Sequence, residues 1–326
     1  MCIRDSSNPV SVVFILEGGL PYGVYDAALA GGREAPEADA NSGTKVRAAL
    51  RPPFVPVKDV VGEGTNRENE KRQKRALILS PFDFEYKIPD AGGPAARILG
   101  KIPDYKGLVK HMKDGEVGLD AFRGWQAYDL ILYNGHGGTL NGTDTKTGEQ
   151  FQTTFITTGN EQTDCDFQEA LQGVGVSSAF PAGVGCLGVK VRVENMFGRA
   201  EDVFRDYLSV DPRFFINQYP GGLEKAVVIF NGCVTYVSDR LPNWLAGDSS
   251  VYFGWDEIVL SHFSPGVMTP LFTEMAKGYN TEKAYEQVCG SGGCVDSAGK
   301  GAELQRYAAG KDLRIREIAT LSLIHI

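Results

Sequence analysis

Residues 128–138 read YDLILYNGHGG, an apolar run that ends in a histidine between glycines. A second apolar run, Ala226 to Asn231, leads into Gly232 and Cys233. Short apolar runs bounded by glycine are typical of buried strands in a parallel sheet. If the two strands are neighbours, His136 and Cys233 emerge together at the carboxyl edge of one sheet, which is where open α/β folds bind their ligands.

The sequence around these runs alternates between strand and helix patterns. This alternation predicts the α/β class, with a mostly parallel central sheet. The further strands are predicted at Ala76 to Ser80 and Ser250 to Phe253, and the helices at Tyr105 to Met112, Pro242 to Leu245, Val267 to Lys277 and Thr281 to Val288.

The stretch between His136 and Cys233, roughly a hundred residues long, is too long for a bare loop. Its patterns favour strand over helix, so we expect a β-rich insertion. Strands are predicted at Phe151 to Thr157, Val189 to Val193 and Arg213 to Ile216, and a helix around Ala200 to Tyr207.

The ends of the chain differ in character from its middle. Residues 1–6 and 321–326 resemble translated sequencing-adapter read-through, and we exclude both from fold reasoning. Residues 7–75 are rich in Gly, Ala, Pro and charge, which predicts a linker or a remnant of an upstream domain, with one strand at Val10 to Leu16. The main domain is predicted over residues 76–290, followed by a truncated helical extension over 291–320.

Composition excludes several classes of partner. The chain has 326 residues, is 42% hydrophobic and 23% charged, and carries a formal net charge of −8. Those fractions are typical of a globular protein. Because no basic stripe is present to neutralise phosphates, nucleic acid and anionic membranes are not expected partners. No apolar stretch reaches the length of about 18 residues that spans a bilayer, so no membrane span is expected.

The cysteines leave two interpretations open. Once Cys2 is set aside with the chain end, five cysteines remain. Pairing of Cys165 with Cys186 and of Cys289 with Cys294 leaves Cys233 as the odd thiol, a pattern typical of an extracytoplasmic protein with one reactive cysteine. Five reduced thiols in a cytoplasmic protein is the alternative. A metal site is not expected, because the sequence has no Cys-x-x-Cys pair.

Cysteine beside histidine indicates nucleophilic catalysis. A thiol is partly ionised at neutral pH, and an imidazole within reach raises the thiolate fraction or protonates a leaving amine. Glycines beside both residues let a substrate carbonyl approach the backbone amides. The alternative for each residue taken alone is structural, since a cysteine after a strand is commonly a small core residue and His-Gly is commonly a turn.

These motifs resemble the caspase-fold cysteine peptidases, a group that includes gingipains, clostripain, legumain, separase and CHAT domains. The resemblance covers about residues 75–290 and is closest to gingipain-like bacterial members. It implies a three-layer caspase-like fold, a protein or peptide substrate, no cofactor, and a catalytic dyad of His136 and Cys233. It also implies oxyanion donors at the amides of Gly137 and Cys233. Gly232 stands where Ala is commoner in the family.

The resemblance further implies a specificity pocket in the segment after the next strand, here Gly254, Trp255, Asp256 and Glu257. A carboxylate in that pocket favours Arg or Lys before the scissile bond. A solvated turn is the alternative for Asp256 and Glu257. For the whole chain, the alternative to an endopeptidase is a catalytically inactive binding or surface module, and acyl transfer to an amine shares the mechanism as far as the acyl-enzyme.

Overall fold

The computed structural model describes residues 14–16, 20–22, 73–85, 90–143, 150–162, 184–194, 200–236, 240–247, 249–298, 300–308, 310 and 312–316. The strands are β1 (Phe14–Leu16), β2 (Leu20–Tyr22), β3 (Ala76–Ser80), β4 (Val109–Lys113), β5 (Leu130–Asn134), β6 (Gly137–Thr143), β7 (Gln150–Gln162), β8 (Val184–Glu194), β9 (Ala200–Val210), β10 (Val227–Asn231), β11 (Val251–Trp255), β12 (Val295–Asp296) and β13 (Ala302–Ala308). The helices are α1 (Gly92–Gly100), α2 (Pro212–Gln218), α3 (Arg240–Ala246), α4 (Ser264–Ala276) and α5 (Thr281–Cys289).

The central sheet has seven strands in the order β12-β13-β11-β10-β5-β3-β4. Its pairs from β11 to β4 are parallel, and only β13 and β12 join antiparallel at one edge. The mixed α/β class and the mostly parallel sheet predicted from the sequence are therefore confirmed. β5 and β10 are direct neighbours, with Asn134 opposite Asn231 at the end of both strands.

Both faces of this sheet are buried, because its strands alternate between two cores. Leu130 and Leu132 of β5 belong to a core shared with α1, α4 and α5, whereas Ile131 and Tyr133 belong to a core shared with α2 and α3. All five residues of β5 are buried, as expected for a strand covered on both faces. Among the described residues, no helix combines the length and the apolar character needed to cross a membrane.

The helix predicted over Tyr105 to Met112 is wrong. Pro103 begins a short 3-10 turn that ends at Tyr105, and Val109–Lys113 then forms β4, paired parallel with β3. Pairing with a central strand outweighs the weak helical pattern of so short a segment. β4 is the outer strand of the sheet, and its Lys110 and Lys113 are exposed.

The insertion is β-rich, as predicted, and forms a separate four-stranded sheet in the order β6-β7-β9-β8. Two of its predicted elements are wrong. The helix around Ala200 to Tyr207 is strand β9, which pairs with β8 along its whole length. The strand at Arg213 to Ile216 lies in α2, which begins at Pro212, a residue whose fixed φ favours the first helical position.

The helical extension predicted over 291–320 is also wrong where the structure describes it. Residues Ala302–Ala308 form β13, which pairs antiparallel with β11. Ala302 and Leu304 point into the core while Glu303 between them is exposed, a period of two that is typical of a strand. The predicted N-terminal strand is confirmed in part as β1, paired antiparallel with β2. Residues 1–6 and 321–326 lie outside the described residues.

Lowering the pH is expected to destabilise the fold through His111 on β4. Its Nε2 lies 3.0 Å from Ser80 Oγ, and burial lowers the pKa of the imidazole below its ordinary 6.5. The unfolded chain therefore binds a proton more readily than the folded chain, so the free energy of unfolding falls as the pH drops below about 6.5. Urea denaturation of wild type and His111→Gln between pH 7.5 and 5.5 tests this. The variant should show a flatter pH dependence than the wild type, and an unchanged slope would contradict this role of His111.

Candidate active site

The loops that carry His136 and Cys233 are in direct contact. The Gly135 amide donates a hydrogen bond to the Asn231 carbonyl at 3.2 Å, which continues the β5–β10 ladder past the strand ends. A methyl group built on Gly232 would lie 2.6 Å from Gly135 O, and one on Gly137 would overlap the carbonyl oxygen of Cys233. Glycine at both positions is thus what allows the two loops to approach.

His136 is held by a buried carboxylate. Its Nε2 lies 2.8 Å from Glu85 Oε2, and both side chains are almost completely buried. The imidazole packs edge-on against the ring of Phe82, with centroids 4.5 Å apart. The His136 carbonyl accepts from the Tyr133 hydroxyl at 2.7 Å and from Thr157 Oγ1 at 2.9 Å. Ring and backbone of this histidine are therefore both fixed.

Cys233 carries a reduced thiol and is fully buried, with 0% of its surface exposed. Its Sγ donates to the carbonyl oxygen of Val259 at 3.5 Å, and the residue belongs to the core that contains Trp255 and Val259. The structure thus brings the two predicted residues to one edge of the sheet. It surrounds the imidazole with Phe82 and Glu85, and the thiol with core side chains and the backbone of Val259.

The backbone immediately after Cys233 is strained. Val234 has φ of +51°, a left-handed conformation that is rare for a β-branched residue. Hydrogen bonds hold it there: its amide donates to Glu257 O at 3.1 Å, and its carbonyl accepts from Thr154 Oγ1 at 3.2 Å. Such strain is commonly stored at functional sites, because the surrounding structure has to maintain it.

A cavity of about 690 Å³ opens at the same edge of the sheet. Its size is within the range of small-molecule and peptide side-chain sites. Its lining comes from the ends of three parallel strands and the turns that follow them, from the β8 and β9 strands, and from the chain between β11 and α4. The lining residues include Phe84, Glu85, Asp90, Asn134, Arg192, Arg205, Asn231, Gly232, Val259, His262 and Ser264.

A buried hydrogen-bond network forms the floor of the cavity. Asn134 Nδ2 donates to Asp90 Oδ2 at 2.9 Å, and Asn231 Nδ2 donates in turn to Asn134 Oδ1 at 2.5 Å. Asn231 also donates to Ser264 Oγ at 3.2 Å and accepts from Trp255 Nε1 at 2.9 Å. Because each of these polar groups has a partner, the network fixes the strand ends that carry the two loops.

The four residues predicted for a specificity pocket lie elsewhere. Trp255 is fully buried beneath the floor, and Gly254 packs against Thr235 within the strand. The Asp256 carboxylate accepts from the Glu303 amide at 2.8 Å and from Gln305 Nε2 at 3.1 Å, which ties β11 to β13. Glu257 is exposed. None of the four is among the residues that line the cavity.

Sequence reasoning missed Glu85 and Asp90. Both follow β3, whose carboxyl end lies at the same edge as those of β5 and β10. Polar residues after this third strand are expected at the same edge for the same reason as His136 and Cys233, which follow neighbouring parallel strands. Glu85 lines the cavity, and its Oε1 is buried with no hydrogen-bond partner within the described part of the chain.

Among the described residues, no group of three His, Cys, Asp or Glu side chains is arranged to hold a metal ion. Cys289 and Cys294 form a disulfide, as in the first of the two pairing patterns, whereas Cys165 lies outside the described residues. No protein-family model matches this chain, and neither does any curated protein. Its function is therefore inferred from the geometry of the site.

Proposed function

We propose that this chain is a cysteine endopeptidase of caspase-like fold, with Cys233 as nucleophile and His136 as general acid and base. The observation that carries the proposal is the contact between the two loops after the neighbouring parallel strands β5 and β10, beside a cavity large enough for a peptide side chain. The strained Val234 and the buried carboxylate on His136 support it, since both cost stability and both lie at this one edge.

The proposed reaction starts with the thiol. His136 takes the Sγ proton, the thiolate attacks the carbonyl carbon of the scissile peptide bond, and the imidazolium then protonates the leaving amine. Water hydrolyses the resulting thioester with the imidazole as base. The amides of Gly137 and Cys233 are the proposed donors to the oxyanion. Glu85 acts as a positioning residue that orients the ring through Nε2.

This reaction requires a rearrangement near the thiol. Val259 lines the cavity and its carbonyl oxygen accepts the hydrogen bond of the fully buried Cys233 Sγ, so we infer that it lies between the nucleophile and the space a substrate would fill. Residues 257–263, between β11 and α4, are termed the covering segment below. Substrate binding is proposed to displace Val259 within this segment.

Carboxylates in the cavity favour a basic residue before the scissile bond. Asp90 already accepts from the Gly93 amide and from Asn134, whereas Glu85 Oε1 is left with no partner among the described residues. A guanidinium or ammonium group would supply the missing donor, and charge-assisted hydrogen bonds are worth about 1.5–3 kcal/mol. The acidic recognition group is thus proposed to be Glu85, assisted by Asp90, instead of Asp256.

Fluorogenic peptides test this proposal. Substrates with Arg or Lys before the cleaved bond should be hydrolysed roughly 10- to 100-fold faster than their Ala or Asp counterparts, a ratio that follows from the energy of one charge-assisted hydrogen bond. Glu85→Gln should reduce this ratio, whatever it does to the absolute rate. Asp256→Asn is the matched control and should keep the ratio. Equal cleavage of basic and neutral substrates would refute the specificity, and hydrolysis that persists in Cys233→Ala would refute the nucleophile.

A catalytically inactive binding module is the second candidate, and the complete burial of Cys233 favours it. In that case the cavity binds a peptide without cleaving it, and the thiol serves as a core side chain. Incubation with a peptidyl acyloxymethyl ketone, followed by peptide mapping, separates the two. A peptidase should be labelled at Cys233 far faster than at other cysteines, whereas a binding module should show uniformly slow labelling.

A further inference from the structure

The covering segment is anchored by hydrogen bonds at its start and near its middle. At its start the Glu257 carbonyl accepts from the Val234 amide, directly after the cysteine. Near its middle the Leu260 amide donates to Asp296 Oδ2 at 2.8 Å. Val259, whose carbonyl oxygen accepts from the Cys233 thiol, is the residue before that second anchor. The position of Val259 therefore depends on Asp296.

Asp296 lies in a short strand. It belongs to β12, a strand of two residues whose pairing among the described strands is with β13 at the edge of the central sheet, and its carbonyl also accepts from the Gly301 amide at 3.2 Å. Its carboxylate is buried, with 1% of the residue exposed. A strand this short contributes few hydrogen bonds, so it needs a further restraint to stay in place. That restraint lies two residues earlier in the chain.

The disulfide between Cys289 and Cys294 supplies the restraint. It joins the last residue of α5 to the residue before β12, across a loop whose residues 290–293 are all exposed. Three of those four residues are glycines, which hold no preferred backbone conformation by themselves. The Leu304 amide donates to Cys294 O at 3.2 Å, so the bridged residue also contacts β13. Without the bridge, the covalent path from α5 to β12 would run only through this glycine-rich loop, and the remaining links would be hydrogen bonds such as those of Tyr285 and Cys294 with β13.

We propose that this disulfide is a redox latch on the candidate active site, and that its reduction releases Asp296 and uncovers Cys233. A dithiol reductant would act by exchange: one of its thiolates attacks the more exposed sulfur, Cys289 Sγ, and the S–S bond breaks. The second thiol then resolves the mixed disulfide. The protein gains two electrons and two protons as two thiols, and the reductant leaves as a disulfide. The covering segment, freed at Leu260, can then move away from the thiol.

The latch rests on the proposed function in one respect, the role of the uncovered Cys233 thiol as a nucleophile. Its own test is the rate at which iodoacetamide labels Cys233 in the full chain, measured by mass spectrometry of the peptide that contains this residue. The variant Cys289→Ser with Cys294→Ser mimics the reduced state without added reductant, which would also reach any other disulfide. We expect it to be labelled at least tenfold faster than the oxidised wild type. Asp296→Ala, which keeps the bridge but removes the Leu260 anchor, should give a similar acceleration.

A matched control is needed to distinguish the loss of the disulfide from a general destabilisation of the fold. Phe215→Leu weakens the core on the opposite face of the sheet, and its melting temperature can be compared with that of the serine variant. If Phe215→Leu accelerates labelling as much at an equal loss of melting temperature, or if the serine variant is labelled at the wild-type rate, the latch is overturned. The proposed function fails separately, since fast labelling of Cys233 without any peptide hydrolysis would retain the latch and reject the peptidase.

Discussion

Replacing His136 with glutamine is expected to lower the rates of Cys233 labelling and of peptide hydrolysis by about 10²- to 10⁴-fold, the usual contribution of a positioned general acid or base. Glutamine is chosen because its amide can still donate to Glu85 Oε2, which now lies 2.8 Å from the imidazole. Alanine would leave the carboxylate buried and unpaired, a change that costs about 3–5 kcal/mol and would confuse loss of folding with loss of chemistry.

The measurement for His136→Gln is single-turnover labelling by a peptidyl-arginine acyloxymethyl ketone, together with steady-state hydrolysis. Far-UV and near-UV circular dichroism should match the wild type. A folded His136→Gln that labels and hydrolyses at the wild-type rate would remove this histidine from the mechanism.

The second large effect is expected from one methyl group at Gly137. Alanine there would overlap the carbonyl oxygen of Cys233 and lie 3.0 Å from Thr235 Cγ2. Thr235 cannot retreat easily, since its Oγ1 donates towards Phe230 O at 3.1 Å and Gly232 O at 3.0 Å. The two loops must then separate. Overpacking of this kind costs about 1–3 kcal/mol.

Thermal and urea unfolding measure that cost, and the labelling rate of Cys233 reports the displacement of the loops. The matched control is Gly138→Ala, the next residue along, where an added methyl group meets no atom within 4 Å. It should leave both stability and labelling close to wild type. Equal behaviour of the two alanine variants would mean that the loops do not meet as described.

The positions of His136 and Cys233 could be predicted from the sequence, because each residue follows the end of a predicted strand. Two apolar runs were enough to place His136 and Cys233 at one edge, because parallel neighbours end together and each run is covered on both faces. Glu85 follows β3, so its place at the same edge could be predicted in the same way. Short segments with mixed patterns were assigned wrongly, as at β4 and β9, because pairing with an existing strand decided their conformation more than local propensity did.

The covering of the thiol could not be predicted. It depends on Val259 and on the anchor from Leu260 to Asp296, two residues brought together by an antiparallel strand at the far edge of the sheet. That strand lies in the stretch predicted to be a helical extension. No local sequence pattern near Cys233 predicts that its thiol is covered, since the contacts come from residues distant in the sequence.

The two borders of the central sheet carry a consequence for solubility. A border strand presents unpaired backbone groups on which another chain can stack, and this is a common route to aggregation. Here one border is β4, with exposed lysines at positions 110 and 113, and the other is the two-residue β12. Charge repels an incoming strand at the first border, and the second offers too few groups to template one. Edge-to-edge polymerisation of this sheet is therefore disfavoured.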